Sequence, residues 1–313
     1  MANQVSSRRE FLRDTVLATG LAATVPSVLS AASSGKLHVA CNQYPWGVFY
    51  AREKRDFGAL LDSGLAEVRA SGNDGFEPGV GGLEQIEQMT PLLKKHGLEM
   101  RSLYVNSTLH EAAQVDKSIE EVLAAAVKAK AFGTRIIVTN PSPIRWGGPE
   151  NKTDEQLSVQ AAALDKLGAK LRQMGMILAY HNHDIELRNA AREFHHMMLG
   201  TDPANVTLCL DAHWIYRGAG NSQVALSDVV KLYGPRITEL HLRQSQNNLW
   251  TEVFGPGDID YPRLADCLLK IGVKPLLVLE QAVEAGSPNT MNAVEAFKKS
   301  TQYTRQVFAG FTG

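Results

Sequence analysis

Past residue 34, short apolar runs alternate with amphipathic stretches along the whole chain. Eight runs read as strands. They are "LHVACNQ" (37–43), "LAEVRAS" (65–71) or the "DGFEP" (74–78) that follows it, "EMRSLYV" (99–105), "TRIIVTN" (134–140), "MILAYHN" (176–182), "VTLCLDA" (206–212), "ITELHLR" (237–243) and "PLLVLEQ" (275–281). Between them, apolar residues recur at three- and four-residue spacing, the period of a helix with one buried face. The stretches 81–97, 118–133 and 153–175 show it most clearly, and each ends in glycine, which tolerates the left-handed turn that closes a helix. Thr153 and Gln156 have the spacing of a capping box. Eight strands alternating with helices predict a single closed (β/α)8 barrel over residues 35–313. An open doubly wound sheet is the alternative, but no glycine-rich phosphate loop follows the first strand.

Nearly every predicted strand ends in something polar. In order these are Asn42, Glu77, Tyr104 with Asn106, Asn140, His181, Asp211, His241 and Glu280. His181, Asp211 and His241 are spaced 30 residues apart, close to one βαβ repeat, and the longer last step is taken up by "SQNNLWTEVFGPGDIDYP" (245–262). Equivalent positions on successive strands converge at one barrel mouth, the end where such barrels hold ligands. His181, Asp211, His241 and Glu280 therefore form a candidate set of ligands for one divalent metal ion. Imidazole and carboxylate together suit manganese, zinc, cobalt or iron, whereas an all-oxygen set suits calcium or magnesium. Each member has a plainer reading: a hydrogen-bonded surface histidine, a helix N-cap for Asp211, a solvated carboxylate for Glu280. His183 is an alternative to His181 as the ligand from the fifth strand.

Composition narrows the function. The chain has 313 residues, 44% hydrophobic and 21% charged, with a formal net charge of -1. No basic field is present to hold a nucleic-acid backbone. Residues 1–34 carry Arg8-Arg9 followed by Phe11-Leu12, a weakly apolar stretch from Val16 to Leu29 and small residues at Ala31-Ala32. This pattern resembles a twin-arginine export signal and predicts export, to the periplasm, of an already folded chain. The apolar stretch is shorter than the ~20 residues of a spanning helix, so no permanent membrane anchor is expected after its removal. Cys41, Cys209 and Cys267 read as small buried hydrophobes rather than a redox set.

"YHNHDIEL", "LCLDAHWIYRG", "ITELHLR", "GPGDIDY" and "LLVLEQ" resemble the xylose-isomerase-like TIM-barrel superfamily, the sugar phosphate isomerases and epimerases, and "YHNH" resembles one exported subgroup of it. The resemblance implies one divalent ion held at the ends of strands five to eight, by His181, Asp211, His241 and Glu280 in this chain. It also implies a carbohydrate substrate. The chain departs from the superfamily pattern in three places. His181 stands where epimerases place a glutamate that works with the strand-eight glutamate. Arg243-Gln244 replaces a Lys-Asp pair, and Trp214 replaces a histidine, with His213 one residue early. Glu186, five residues past His181, reaches the pocket only if the loop folds back.

Such a shell supports removal of the proton beside a ketone and passage through an enediolate. Glu280 is the first candidate base, with His183 or His181 as partner. The leading expectation is a metal-dependent sugar isomerase or epimerase. Replacement of one carboxylate by histidine makes β-elimination, by a dehydratase or keto-glycoside lyase, a competitor. A sugar-binding barrel without turnover and a phosphodiesterase of the same superfamily are further possibilities, and the charge balance counts against the last. Asn42, Glu77, Asn106 and Asn140 are candidate substrate contacts. Tyr44, Trp46, Trp214 and Phe254 are candidates for stacking on sugar C–H faces, and Arg217 and Arg243 for an anionic group. His195-His196 reads as a solvated helix face. Asp260 and Pro262 read as the start of a helix, and no Gly-x-Ser-x-Gly elbow is present.

Overall fold

The structure is a computed structural model and describes residues 35–312. The export-signal reading of residues 1–34 lies outside the described residues. Eight parallel strands are β1 (Val39–Asn42), β2 (Gly75–Glu77), β3 (Ser102–Tyr104), β4 (Ile136–Thr139), β5 (Ile177–His181), β6 (Val206–Asp211), β7 (Ile237–Leu242) and β10 (Leu276–Leu279). Their order is β2-β1-β10-β7-β6-β5-β4-β3, and the bridges Gly75↔Glu99 and Gly79↔Tyr104 join the two ends into a barrel. Closure requires a close approach at Gly75, where a Cβ would lie 2.8 Å from the Glu99 carbonyl. An antiparallel hairpin, β8 (Ser245–Gln246) and β9 (Leu249–Trp250), decorates the loop after β7. Its two turn residues, Asn247 and Asn248, have φ of 53° and 65°, the left-handed geometry of a tight hairpin turn.

Strand alternation sorts the apolar residues into two cores. Inside the barrel lie Ala40, Val138, Ala179, Cys209 and Val278, small enough to fill a narrow lumen. Outside it, Cys41, Leu103, Ile137, Leu178, Leu208, Leu240 and Leu279 meet the helices. The polar residue at each strand end belongs to the inward set, which aims it along the barrel axis.

The predicted helices form as Leu83–Lys95, Val115–Lys130 and Asp154–Gln173, and the glycines that close them have φ of 64°, 97° and 71°. Both hydrogen bonds of the Thr153–Gln156 capping box are present. Asp260 accepts the Arg263 N–H at the start of helix Tyr261–Lys270. The first choice for the second strand fails: "LAEVRAS" lies in helix Leu61–Ala70, and "DGFEP" supplies β2. Leu61, Leu65 and Val68 recur at helical spacing, and the run carries only one β-branched residue.

Candidate metal and substrate site

At the carboxyl ends of β5, β6, β7 and β10, His181, Asp211, His241 and Glu280 each offer a ligand atom within 4.8 Å of the others. Register explains the meeting: Asp211 pairs with His241, while His181 pairs with Cys209 and His241 with Val278, so each ligand is level with its neighbour or two residues out of step and all four keep the inward parity. Asp211 caps helix Ala212–Gly218, its Oδ1 accepting the Trp214 N–H at 2.9 Å, while Oδ2 is buried without a partner. The helix-cap reading and the ligand reading thus use different oxygens. His181 Nδ1 lies 3.6 Å from Cys209 Sγ, and its Nε2 is buried without a partner. His241 Nδ1 lies 2.9 Å from Glu280 Oε2. Two imidazoles and two carboxylates, with His181 Nε2 and Asp211 Oδ2 buried without partners, fit a divalent cation of the manganese-to-zinc series.

Electrostatics follow from burial and mutual proximity. Burial pushes His181 well below the usual imidazole range, with the charge of His241 adding to the effect. Burial raises Asp211 to about 7. Burial alone would raise Glu280, but Arg243 and His241 hold its carboxyl far below the usual range. Burial would lower His241, yet the Cys209 thiol and the Glu77 and Glu280 carboxylates outweigh it and raise it well above 6.5.

Above this cluster opens a cavity of about 530 Å3, lined among others by Asn42, Tyr44, Tyr104, Asn106, Trp146, His183, Trp214, Arg243 and Glu280. Its rim is aromatic: His183 packs edge-on to Trp146 at 5.0 Å and tilted against Trp214 at 5.8 Å. Burial lowers His183 to about 4, which keeps its ring neutral at pH 7, and its Nδ1 has no protein partner. Arg243 is 1% exposed and stacks over Trp250 at 4.2 Å. Its Nη2 lies 3.3 Å from Glu280 Oε1 and Nη1 has no protein partner.

The loop after β5 does fold back. Glu186 is buried, and Oε2 accepts the His183 N–H at 2.7 Å while Oε1 accepts from Asn140 Nδ2 at 3.0 Å. Asn140 also donates to the His181 carbonyl. Glu186 is thereby occupied in holding the loop and is not among the cavity's lining residues. Asn182 and the backbone of Asp211 exchange two hydrogen bonds of 3.1 Å, which fasten the end of β5 to β6. Asp184, in contrast, is exposed.

Several expected substrate contacts belong elsewhere. Trp46 is fully buried, donates to Cys41 Sγ and stacks on Phe297 at 4.8 Å, so it is core between barrel and helices. Phe254 is core as well, against Tyr261 and Tyr303. Arg217 is paired with both oxygens of Glu284 and does not line the cavity. Glu77 and Asn140 are buried and outside the cavity lining; each has protein partners, but Glu77 Oε2 and Asn140 Oδ1 have none. His195 bonds Tyr233 on a helix away from the site. Sequence reasoning missed Trp146, in a loop with no periodic signal, and Glu239. The only trace of Glu239 was an acid inside the apolar run "ITELHL", two residues before His241.

The parallel barrel thus gathers two imidazoles and two carboxylates at its strand ends, under an aromatic-rimmed cavity. The chain belongs to the xylose isomerase-like TIM barrel family, whose pattern matches residues 65–307. It is 26% identical over 275 residues to an inosose dehydratase of Clostridium perfringens, spanning 77% of this chain and 88% of that one. Its fold is similar to that of a sugar phosphate isomerase/epimerase from Parabacteroides distasonis (TM-score 0.67, 18% identity, 92% of this chain and 99% of the other). It is similar to the fold of a D-allulose 3-epimerase from Methylomonas sp., solved with D-allulose (TM-score 0.67, 15% identity, 87% and 97%).

Proposed function

We propose that the protein is a divalent-metal-dependent carbohydrate enzyme that removes a proton from the carbon beside a ketone, passes through an enediolate, and completes a β-elimination. His181, Asp211, His241 and Glu280 hold the ion. Bound there, a divalent cation supplies Lewis acidity toward adjacent carbonyl and hydroxyl oxygens. His183, its ring neutral and lining the cavity, takes the proton as general base and returns it to the departing oxygen, which leaves as water or an alcohol. Arg243 Nη1 donates to a ligand oxygen on which negative charge develops. Tyr44, Trp146 and Trp214 provide stacking surfaces for a sugar ring, and Asn42 and Asn106 offer hydrogen bonds to hydroxyls.

One observation ranks elimination first: among the lining residues Glu280 is the only carboxylate, and the group that shares the cavity with it is an imidazole. Epimerisation by two carboxylates needs a second acid there, and Glu186 is turned onto the His183 N–H instead. The dehydratase relatives support the same ranking. Isomerisation or epimerisation is the second reading, because His183 on the β5 loop and Glu280 after β10 line one cavity and can exchange protons at one carbon.

Incubation of the metal-loaded protein with keto-sugars and keto-glycosides in deuterated water tests these readings. Loss of water or an aglycone supports elimination, and an isomer labelled at carbon supports the second reading. Ligand binding with neither exchange nor product contradicts both and leaves a sugar-binding barrel. On the sequence pattern alone we also propose that residues 1–34 direct export to the periplasm. Cell fractionation of the Arg8→Lys/Arg9→Lys variant is expected to find the protein retained in the cytoplasm.

A further inference from the structure

Beneath the proposed ligands lie two carboxylates with no role in the reaction described above. Glu239 is two residues before His241 on β7 and so faces the same side, one layer deeper in the barrel. It is fully buried, in a lumen whose apolar residues include Ala179, Cys209 and Val278. An acid in such a place is costly unless a partner satisfies it. The partner is His241: its Nε2 lies 3.2 Å from Glu239 Oε1 and 3.0 Å from Glu77 Oε1. Glu77 Oε1 is itself fixed by Asn42 Nδ2 at 2.7 Å. The other ring nitrogen, Nδ1, faces Glu280 Oε2 at 2.9 Å. The imidazole is therefore held with its two nitrogens facing different carboxylates, Nε2 toward the pair beneath and Nδ1 toward the ligand set.

We propose that Glu239, assisted by Glu77, is a positioning residue: it accepts the Nε2–H of His241 and so presents the Nδ1 lone pair to a divalent ion. When an ion displaces one proton from the charged His241 ring, the imidazole keeps one N–H and one lone pair, so an acceptor fixed at Nε2 decides which atom is freed for the metal. Carboxylates behind metal-bound histidines act in this way generally. The inference rests on the metal reading under Proposed function.

The test uses the full chain and Mn2+ with a competing chelator, comparing wild type, Glu239→Gln and Glu239→Leu. Glutamine keeps a carbonyl acceptor and leucine removes it. The leucine variant is expected to bind Mn2+ more weakly by ~10- to 100-fold, with most affinity restored in the glutamine variant. Unchanged melting of the metal-free leucine variant would show that the loss is not unfolding. In zinc-loaded wild type, nitrogen-15 spectra are expected to show His241 protonated at Nε2. Equal affinity in wild type and Glu239→Leu, or His241 protonated at Nδ1, overturns the inference alone. A second ion in wild type that Glu239→Leu loses also overturns it, by making Glu239 a ligand. A wild-type chain that binds no divalent ion overturns the metal reading and the inference with it.

Discussion

Glu186 Oε2 accepts the backbone N–H of His183 at 2.7 Å, so the loop after β5 is fastened to its own buried acid. Burial, reinforced by the negative charge of Glu193, raises the Glu186 carboxyl to about 7 against an ordinary value of 4.5. The folded chain therefore takes up a proton here that the unfolded chain releases at lower pH. This contribution to stability is complete below about pH 4.5 and is lost as pH rises through about 7. Glu186→Gln does not titrate, so its melting temperature is expected to fall less than that of wild type between pH 5 and pH 8. Parallel melting curves for the two proteins across that range would contradict the assignment.

His183 is the proposed proton carrier and lies outside the four-residue ligand set. His183→Gln is expected to lower kcat by ~100- to 10,000-fold while metal content stays at the wild-type level. Loss of the ion along with activity would instead make His183 the ligand from the fifth strand.

The two tryptophans singled out in the sequence are expected to behave oppositely. Trp46→Ala empties a packed site and is expected to cost about 3–5 kcal/mol of stability, read by denaturant titration. Trp214→Ala is expected to leave stability nearly unchanged and raise KM about tenfold through lost stacking on the ligand. A Trp46 variant with wild-type stability would contradict its placement in the core.

Much of this architecture was legible because barrel strands carry a simple pattern, an apolar run closed by one inward polar residue. That pattern marks His181, Asp211, His241 and Glu280 in the sequence, and the 30-residue spacing puts three of them in step. Where the pattern is weak, reading failed. β2 has three residues, too short to outweigh the helix-like "LAEVRAS" before it. Trp46 and Trp214 both follow strand ends, but helical geometry turns the first into the core and only the second to the cavity. Glu186 was visible as an acid, yet only the folded-back turn shows that it faces backbone rather than ligand. Glu239 was hidden because a lone acid within a strand gains its meaning from Glu77 and His241, which the fold brings to it.

Metal content tests the central claim most directly. Elemental analysis of purified wild type is expected to find one divalent ion per chain, with none retained by Asp211→Ala or His241→Ala. Because Asp211 Oδ1 also caps a helix, Asp211→Asn, which keeps a capping oxygen, separates loss of the ligand from loss of the cap. It too is expected to lose the ion while keeping wild-type circular dichroism. Unchanged metal in both alanine variants would contradict the site.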